Sequence, residues 1–421
     1  MKLLISSMNF TPEEIGVGKY SGEMAIWLAR AGHDVRVISA QPYYPFWKVF
    51  NGYSAFSYSR ELIPVNFTEN ETTNCGSLTV YRCPVWVPKN PSGIKRLIHL
   101  LSFTIASLPI FFFQCKWRPT VVIAIEPPLL CAPLAVMLSK LASSKSVLHI
   151  HDYEVDAAFN LGLLRGKYFY EFALKVELYL MRKFDLVTSI SSKMINKLVR
   201  KGVSDDAVRL FPNWVDLDLI KPASNNRDSK RVMREELGLP HDCIIALYSG
   251  NMGNKQGLEV LSMAALELIN ENIFFIFCGN GTGRMELQSA CKNLTNVLFL
   301  PLQPLAKFNQ LLSIADIHLL PQCDGIADFV MPSKLMGILA SGRPVVATAR
   351  ADTEVGEIVS SCGLLVEPGD SFSEAIRSLL IDEALRIRLG RDARLYAEKH
   401  FSFQKIMLRF EQYLEDLAFK A

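Results

Sequence analysis

A lysine in the first turn of a helix is the residue with the clearest chemical purpose, and the segment Pro332-Ser333-Lys334-Leu335 predicts one. Pro332 suits a first helical turn, where a missing N–H costs nothing, and Ser333 can satisfy a free amide there. A helix N-terminus carries unpaired N–H groups and partial positive charge, so it seats anions. Lys334 opposes that dipole, which argues for a ligand phosphate beside it. The alternative is a surface lysine on an ordinary α/β crossover. Three other segments carry small or polar residues after an apolar run: Ser249-Gly250-Asn251, Gly279-Asn280-Gly281-Thr282-Gly283 and Pro301-Leu302-Gln303. Glycines at such points let backbone amides approach a pyrophosphate. In the first half, Gly16-Val17-Gly18 follows an apolar run without dinucleotide-fingerprint or Walker spacing. His151-Asp152 ends another run, and the pair reads equally as structural or as facing a reacting group.

These residues need strands to place them. Lys2–Ser6, then a loop from Asn9 to Ser21, a helix Tyr20–Ala31 and a strand Val35–Ser39 form a βαβ unit. Further strands are expected at Leu78–Cys83, Val121–Ile125, Val147–Ile150 and Leu186–Ile190. After the polar stretch Ser224–Ser229 the pattern restarts with Ile244–Ser249, and Phe274–Cys278, Val297–Leu300, Ile317–Leu320, Val345–Ala347 and Leu364–Val366 follow. The expectation is α/β, two Rossmann-like doubly wound domains in series, with ligands outside the carboxyl ends of the strands. The boundaries read as 1–215 and 216–395, with a C-terminal helix over 396–421 returning to the first domain.

Charge is unevenly spread. Residues 1–214 hold 24 Lys and Arg against 16 Asp and Glu, whereas the remainder is net acidic. Residues 97–115 contain no charged side chain, and Lys95, Arg96, Lys116 and Arg118 flank them. Their length permits a membrane span. The diluting polar residues and the shared sheet expected on both sides favour a buried helix or one at the membrane interface. Zinc-finger spacing and RNP-like aromatics are absent, so anionic lipid is a better partner than nucleic acid. Nine cysteines, an odd number with no C-x-x-C, fit reduced thiols in a cytosol and no zinc site.

The pattern resembles family 4 of the retaining glycosyltransferases, with the GT-B fold of two domains facing a central cleft. The resemblance is carried by Gly16-x-Gly18, His151-Asp152, Pro212-Asn213-x-x-Asp216, Gly250-Asn251, Gly279-x-Gly281 and Gly342-x-Pro344-Val345-Val346. Pro42-Tyr43-Tyr44-Pro45 and Pro332-Ser333-Lys334-Leu335 are similar to fucosyltransferases of colanic acid biosynthesis in enteric bacteria. The resemblance implies a nucleotide-sugar substrate, a GDP-sugar before a UDP-sugar, and neither metal nor cofactor. It also implies a polyprenyl-diphosphate-linked acceptor, retention of configuration, a cytoplasmic protein peripheral on the inner membrane face, and contact with other exopolysaccharide enzymes. Donor pyrophosphate would sit on the amides of Gly16–Gly18, Gly250 and Pro332–Lys334, the base near Leu302-Gln303, and His151 against the transferred sugar. The family's arginine and lysine are replaced by Asn251 and Gln256, with Lys255 adjacent. Its paired glutamates fall on Phe329 and Gly337, leaving Asp328, Glu354 or Glu357 as substitutes. A nucleotide-sugar epimerase of the same fold and a non-catalytic partner subunit are the competing readings.

Overall fold

Short runs rich in valine, isoleucine and leucine become strands here because both faces are covered, so no polar alternation is required. The computed structural model describes residues 1–65, 75–91, 93–160, 166–222, 227–240, 242–253, 256–323 and 332–419. It contains two compact units, Met1–Pro212 with Met407–Ala421, and Asn213–Ile406.

The first unit holds β1 (Lys2–Ser6), β2 (Asp34–Ala40), β3 (Ser59–Leu62), β4 (Ser77–Cys83), β5 (Val121–Glu126), β6 (Lys145–Ile150), β7 (Leu186–Ser189) and β8 (Val208–Leu210). Their order is β3-β4-β2-β1-β5-β6-β7-β8, parallel except for the antiparallel edge pair β3–β4. β3 and β8 were not expected. β3 is a largely exposed edge strand, Ser-Arg-Glu-Leu, without the apolar signal of a buried one. The second unit holds β9 (Ile244–Ser249), β10 (Ile273–Cys278), β11 (Val297–Leu300), β12 (Ile317–Leu320), β13 (Val345–Thr348) and β14 (Leu364–Val366), in the all-parallel order β11-β10-β9-β12-β13-β14. In each sheet the chain runs outward from its first strand in both directions. The switch points therefore fall at β1/β5 and β9/β12, where a crevice opens at the carboxyl ends.

The first helix runs Gly16–Arg30, so it starts on the first glycine and not at Tyr20. This puts the Gly16–Gly18 amides in the helix's first turn, where they lack intrahelical partners. At the other end of the chain, the helix Phe403–Phe419 packs back on the first unit. Phe410 stacks on Phe211 with centroids 3.9 Å apart, and Glu411 meets His33 at 2.8 Å. The return to the first unit falls at Met407, inside that helix and later than residue 396.

The segment over 97–115 is part of one helix, Gly93–Cys115, long and apolar enough by composition to cross a membrane. It packs on β2 and β4, and β4 before it and β5 after it belong to one sheet. Its buried residues are His99, Phe103, Thr104, Ser107, Phe111 and Gln114. Arg36 donates to the Gln114 Oε1 at 2.9 Å. The polar stripe thus faces the protein, and Ile94, Leu97, Ile98, Leu101, Ile105, Phe112 and Phe113 face outward.

Candidate active site

In the second unit, Tyr248 of β9 and Gln256 of the loop after it reach Lys334, and Gly279 after β10 lies against Gly250. The helix Ser333–Ala340 follows β12, with Pro332 in the cap position and no side-chain cap. Ser333 is therefore the first helical residue and not the cap. The Leu335 amide donates to the Pro332 carbonyl at 3.0 Å. Lys334 Nζ donates to Gln256 Oε1 at 2.8 Å and Tyr248 Oη at 3.3 Å, and it lies 4.4 Å from the Tyr248 ring centroid. Burial pushes the Lys334 ammonium down to about 7. No carboxylate lies within ion-pair distance of it among the described residues.

The glycines after β9 and β10 fit because both have positive φ and close neighbours. Gly250 has φ +139°, and a Cβ there would sit 3.3 Å from Lys334 Cδ. Gly279, at φ +147°, would place a Cβ 1.9 Å from the Gly250 carbonyl oxygen. Asn251 accepts from Tyr248 Oη through its backbone carbonyl at 2.6 Å. Leu302 is 65% exposed, and Gln303 Nε2 donates to the Pro301 carbonyl at 3.0 Å. Glu354 and Glu357 lie in the first turn of the helix Glu354–Cys362, where their charge acts on Tyr396, and neither is a partner of Lys334. Lys255, Asp328 and Phe329 lie outside the described residues.

In the first unit, the ends of β1, β2, β5 and β6 bring together Gly16, Gly18, Glu13, Tyr20, Tyr44 and His151. Glu13 is buried and accepts from the Tyr43 and Tyr44 amides at 2.8 and 2.9 Å and from Asn9 Nδ2 at 2.9 Å. A Cβ on Gly18 would strike the Glu13 Cβ at 2.7 Å, so this glycine lets the carboxylate brace two loops. His151 is buried against Tyr20, at 6.2 Å between centroids, and edge-on to His149 at 4.5 Å. Burial lowers its pKa to about 4, so at neutral pH the ring is uncharged. Asp152 is partly exposed beside it. Sequence reasoning missed Glu13 and Tyr248. A tyrosine two residues before Gly250 was the available signal for the second.

Two doubly wound units with glycine-bearing loops at their switch points, one holding a lysine with no carboxylate partner among the described residues, define an α/β enzyme built to bind nucleotides. Residues 16–214 match the Glycosyl transferase 4-like domain and residues 229–396 match Glycosyl transferases group 1. "Putative colanic acid biosynthesis glycosyl transferase WcaI" of Escherichia coli (strain K12) is 40% identical over 421 residues, covering 97% of this chain and 98% of that protein. D-inositol 3-phosphate glycosyltransferase of Corynebacterium jeikeium (strain K411) is 27% identical over 50% of this chain and 52% of its own. Among solved structures, sucrose-phosphate synthase from Thermosynechococcus elongatus superposes with TM-score 0.74 at 20% identity, covering 100% of this chain and 99% of that one. Anabaena Alr3699/HepE in complex with UDP and glucose superposes with TM-score 0.67 at 17% identity, over 99% and 100% of the two chains. The chain belongs to the family 4 glycosyltransferases and has the GT-B fold; it is a glycosyltransferase.

Proposed function

We propose that this enzyme moves a sugar, fucose from a GDP-linked donor, to a polyprenyl-diphosphate-linked glycan during exopolysaccharide synthesis of the colanic acid type. The transfer retains configuration and uses no metal. The observation that carries the donor half is Lys334: an ammonium held by an amide and a phenol, with no carboxylate to balance it among the described residues. A buried cation without a counter-charge is costly, and a ligand diphosphate supplies that charge. The relative of colanic acid biosynthesis supports the exopolysaccharide assignment, and the UDP-bound neighbour supports a nucleotide-sugar donor.

As the sugar–phosphate bond breaks, charge builds on the leaving β-phosphate. Lys334 and the amides beside Gly250 are oriented in advance to stabilise it. The acceptor hydroxyl attacks from the same face and passes its proton to a leaving phosphate oxygen, so retention needs no protein nucleophile. Neutral His151 contacts the transferred sugar. The test is incubation with GDP-fucose, other nucleotide sugars and a prenyl-diphosphate-linked glucose. GDP release with formation of a fucosylated lipid is expected, and no nucleotide release with any donor sinks the assignment.

The membrane face belongs to the same reading. The helix Gly93–Cys115 turns its apolar side outward, and the helix Lys167–Met181 exposes Tyr168, Phe169, Phe172, Val176 and Tyr179. Basic residues flank both, which suits the anionic inner face of a cytoplasmic membrane. Replacing Ile98, Leu101 and Ile105 together by serine removes about 1 kcal/mol of interfacial burial at each. Co-flotation with phosphatidylglycerol-containing vesicles is expected to fall by about tenfold to a hundredfold, with the melting temperature unchanged. Undiminished flotation would remove this helix from the membrane contact.

A further inference from the structure

Past β5 the chain reads Glu126-Pro127-Pro128-Leu129, and the two prolines carry no N–H. The Leu129 amide is therefore the first backbone donor after the strand, and Leu129 is buried. A buried N–H without an acceptor is costly. Its acceptor comes from the loop after the neighbouring strand: Glu154 Oε2 takes this amide at 2.7 Å. The tie is reciprocal. The Glu154 amide donates to Glu126 Oε1 at 3.4 Å, and the His151 amide donates to the Glu126 carbonyl at 3.0 Å. Two glutamates thus join the loops that follow β5 and β6, which are adjacent and parallel.

His151 and Asp152 lie between these ties. Tyr153 holds the segment from another side, donating through Oη to the Met194 carbonyl at 2.6 Å. The His151 ring sits against the Tyr20 and His149 rings, and no hydrogen bond fixes its nitrogens among the described residues. Its place therefore depends on the backbone that carries it. β5 also pairs with β1 at the switch point, so Glu154 ties His151 to a strand that borders the crevice. Glu126 is fully buried and Glu154 is half-buried. Glu154 is thus the member of the pair that can be replaced without opening the core.

We propose that Glu154 is a positioning residue for sugar transfer: by accepting from the Leu129 amide, it fixes the His151–Asp152 segment beside the crevice. This rests on the reading of His151 as the group that contacts the transferred sugar, and names what holds it there. The Glu154 carboxylate is spent on a backbone amide, so it acts through the loop and not on the substrate.

The test compares Glu154→Ala, Glu154→Gln and Tyr170→Phe in the full chain. Glutamine keeps an oxygen for the Leu129 amide. Tyr170→Phe removes a 2.7 Å bond to Asp156, on the helix Glu154–Asn160, and leaves the clamp intact, so it controls for lost stability. With GDP-fucose and a prenyl-diphosphate-linked glucose, Glu154→Ala should lower kcat by about tenfold to a hundredfold, with KM for the nucleotide sugar unchanged. Glutamine should restore most of kcat, and Tyr170→Phe should keep it at a lower Tm. Hydrogen–deuterium exchange at the His151 ring Cε1, read by mass spectrometry, should quicken in Glu154→Ala alone. Wild-type kcat in Glu154→Ala overturns the proposal, as does a glutamine or Tyr170→Phe variant as slow as the alanine one. Absence of transfer with every substrate pair falls on the proposed reaction instead. His151 exchange then decides alone: a wild-type rate in Glu154→Ala overturns the positioning role.

Discussion

Replacing Lys334 by alanine is expected to weaken binding of the nucleoside-diphosphate sugar by about 1.5–3 kcal/mol, the usual worth of a charged hydrogen bond. That corresponds to roughly a tenfold to hundredfold rise in Kd by calorimetry. Folding should survive, because the ammonium's described partners are Gln256 and Tyr248 and its burial is unfavourable on its own. Arginine at 334 should recover part of the affinity. Unchanged donor binding in the alanine variant would return Lys334 to a structural role.

The same residue sets a pH dependence. Burial lowers the free ammonium to about 7, and a diphosphate beside it raises it again. Below pH 7 the lysine is already charged and affinity is at its full value. Above pH 7 the donor binds only as the lysine takes up a proton, so affinity falls by up to about tenfold per pH unit. Both phosphates of a sugar nucleotide are diesters and stay ionised through this window, so the ligand adds no slope of its own. The Lys334→Ala variant should lose the slope, and a slope that persists there points to another group.

Gly279→Ala is expected to have an effect as large. The residue has φ +147°, a region that side chains rarely enter, and the new methyl would sit 1.9 Å from the Gly250 carbonyl oxygen. Strain of this kind costs about 1–3 kcal/mol before the clash is counted. Relief requires the loop after β9 to move, and that loop passes beside Lys334, where a Cβ built on Gly250 would come 3.3 Å from Lys334 Cδ. The variant should therefore lose thermal stability and donor binding together. A protein with wild-type Tm and Kd would show that the two loops are not coupled through this contact.

The individual elements were legible in the sequence to a large degree. Runs such as Lys2–Ser6, Ile244–Ser249 and Val297–Leu300 are strands at those bounds, because a buried parallel strand needs continuous apolar residues and a turn signal after it. Gly250, Gly279 and Gly281 were readable as close backbone approaches for the same local reason. The edge strand Ser59–Leu62 was not, since an exposed strand needs no apolar run. The helix start at Gly16 was missed because glycine, taken alone, signals a turn; here Gly16 opens the helix and Gly18 leaves room for Glu13.

By itself, the sequence determined that the chain would form two α/β units and that a lysine would stand at a helix start after β12. Only the tertiary structure decided what that lysine meets. Gln256 and Tyr248 reach it from β9 and its loop, 78 and 86 residues away, and no local periodicity reports such a distance. Packing also decided that the helix Gly93–Cys115 buries His99, Thr104, Ser107 and Gln114 and turns its isoleucines and leucines outward. Composition fixes how apolar a helix is; the donors and acceptors of the sheet it lies on, such as Arg36 for Gln114, fix which side of it faces in.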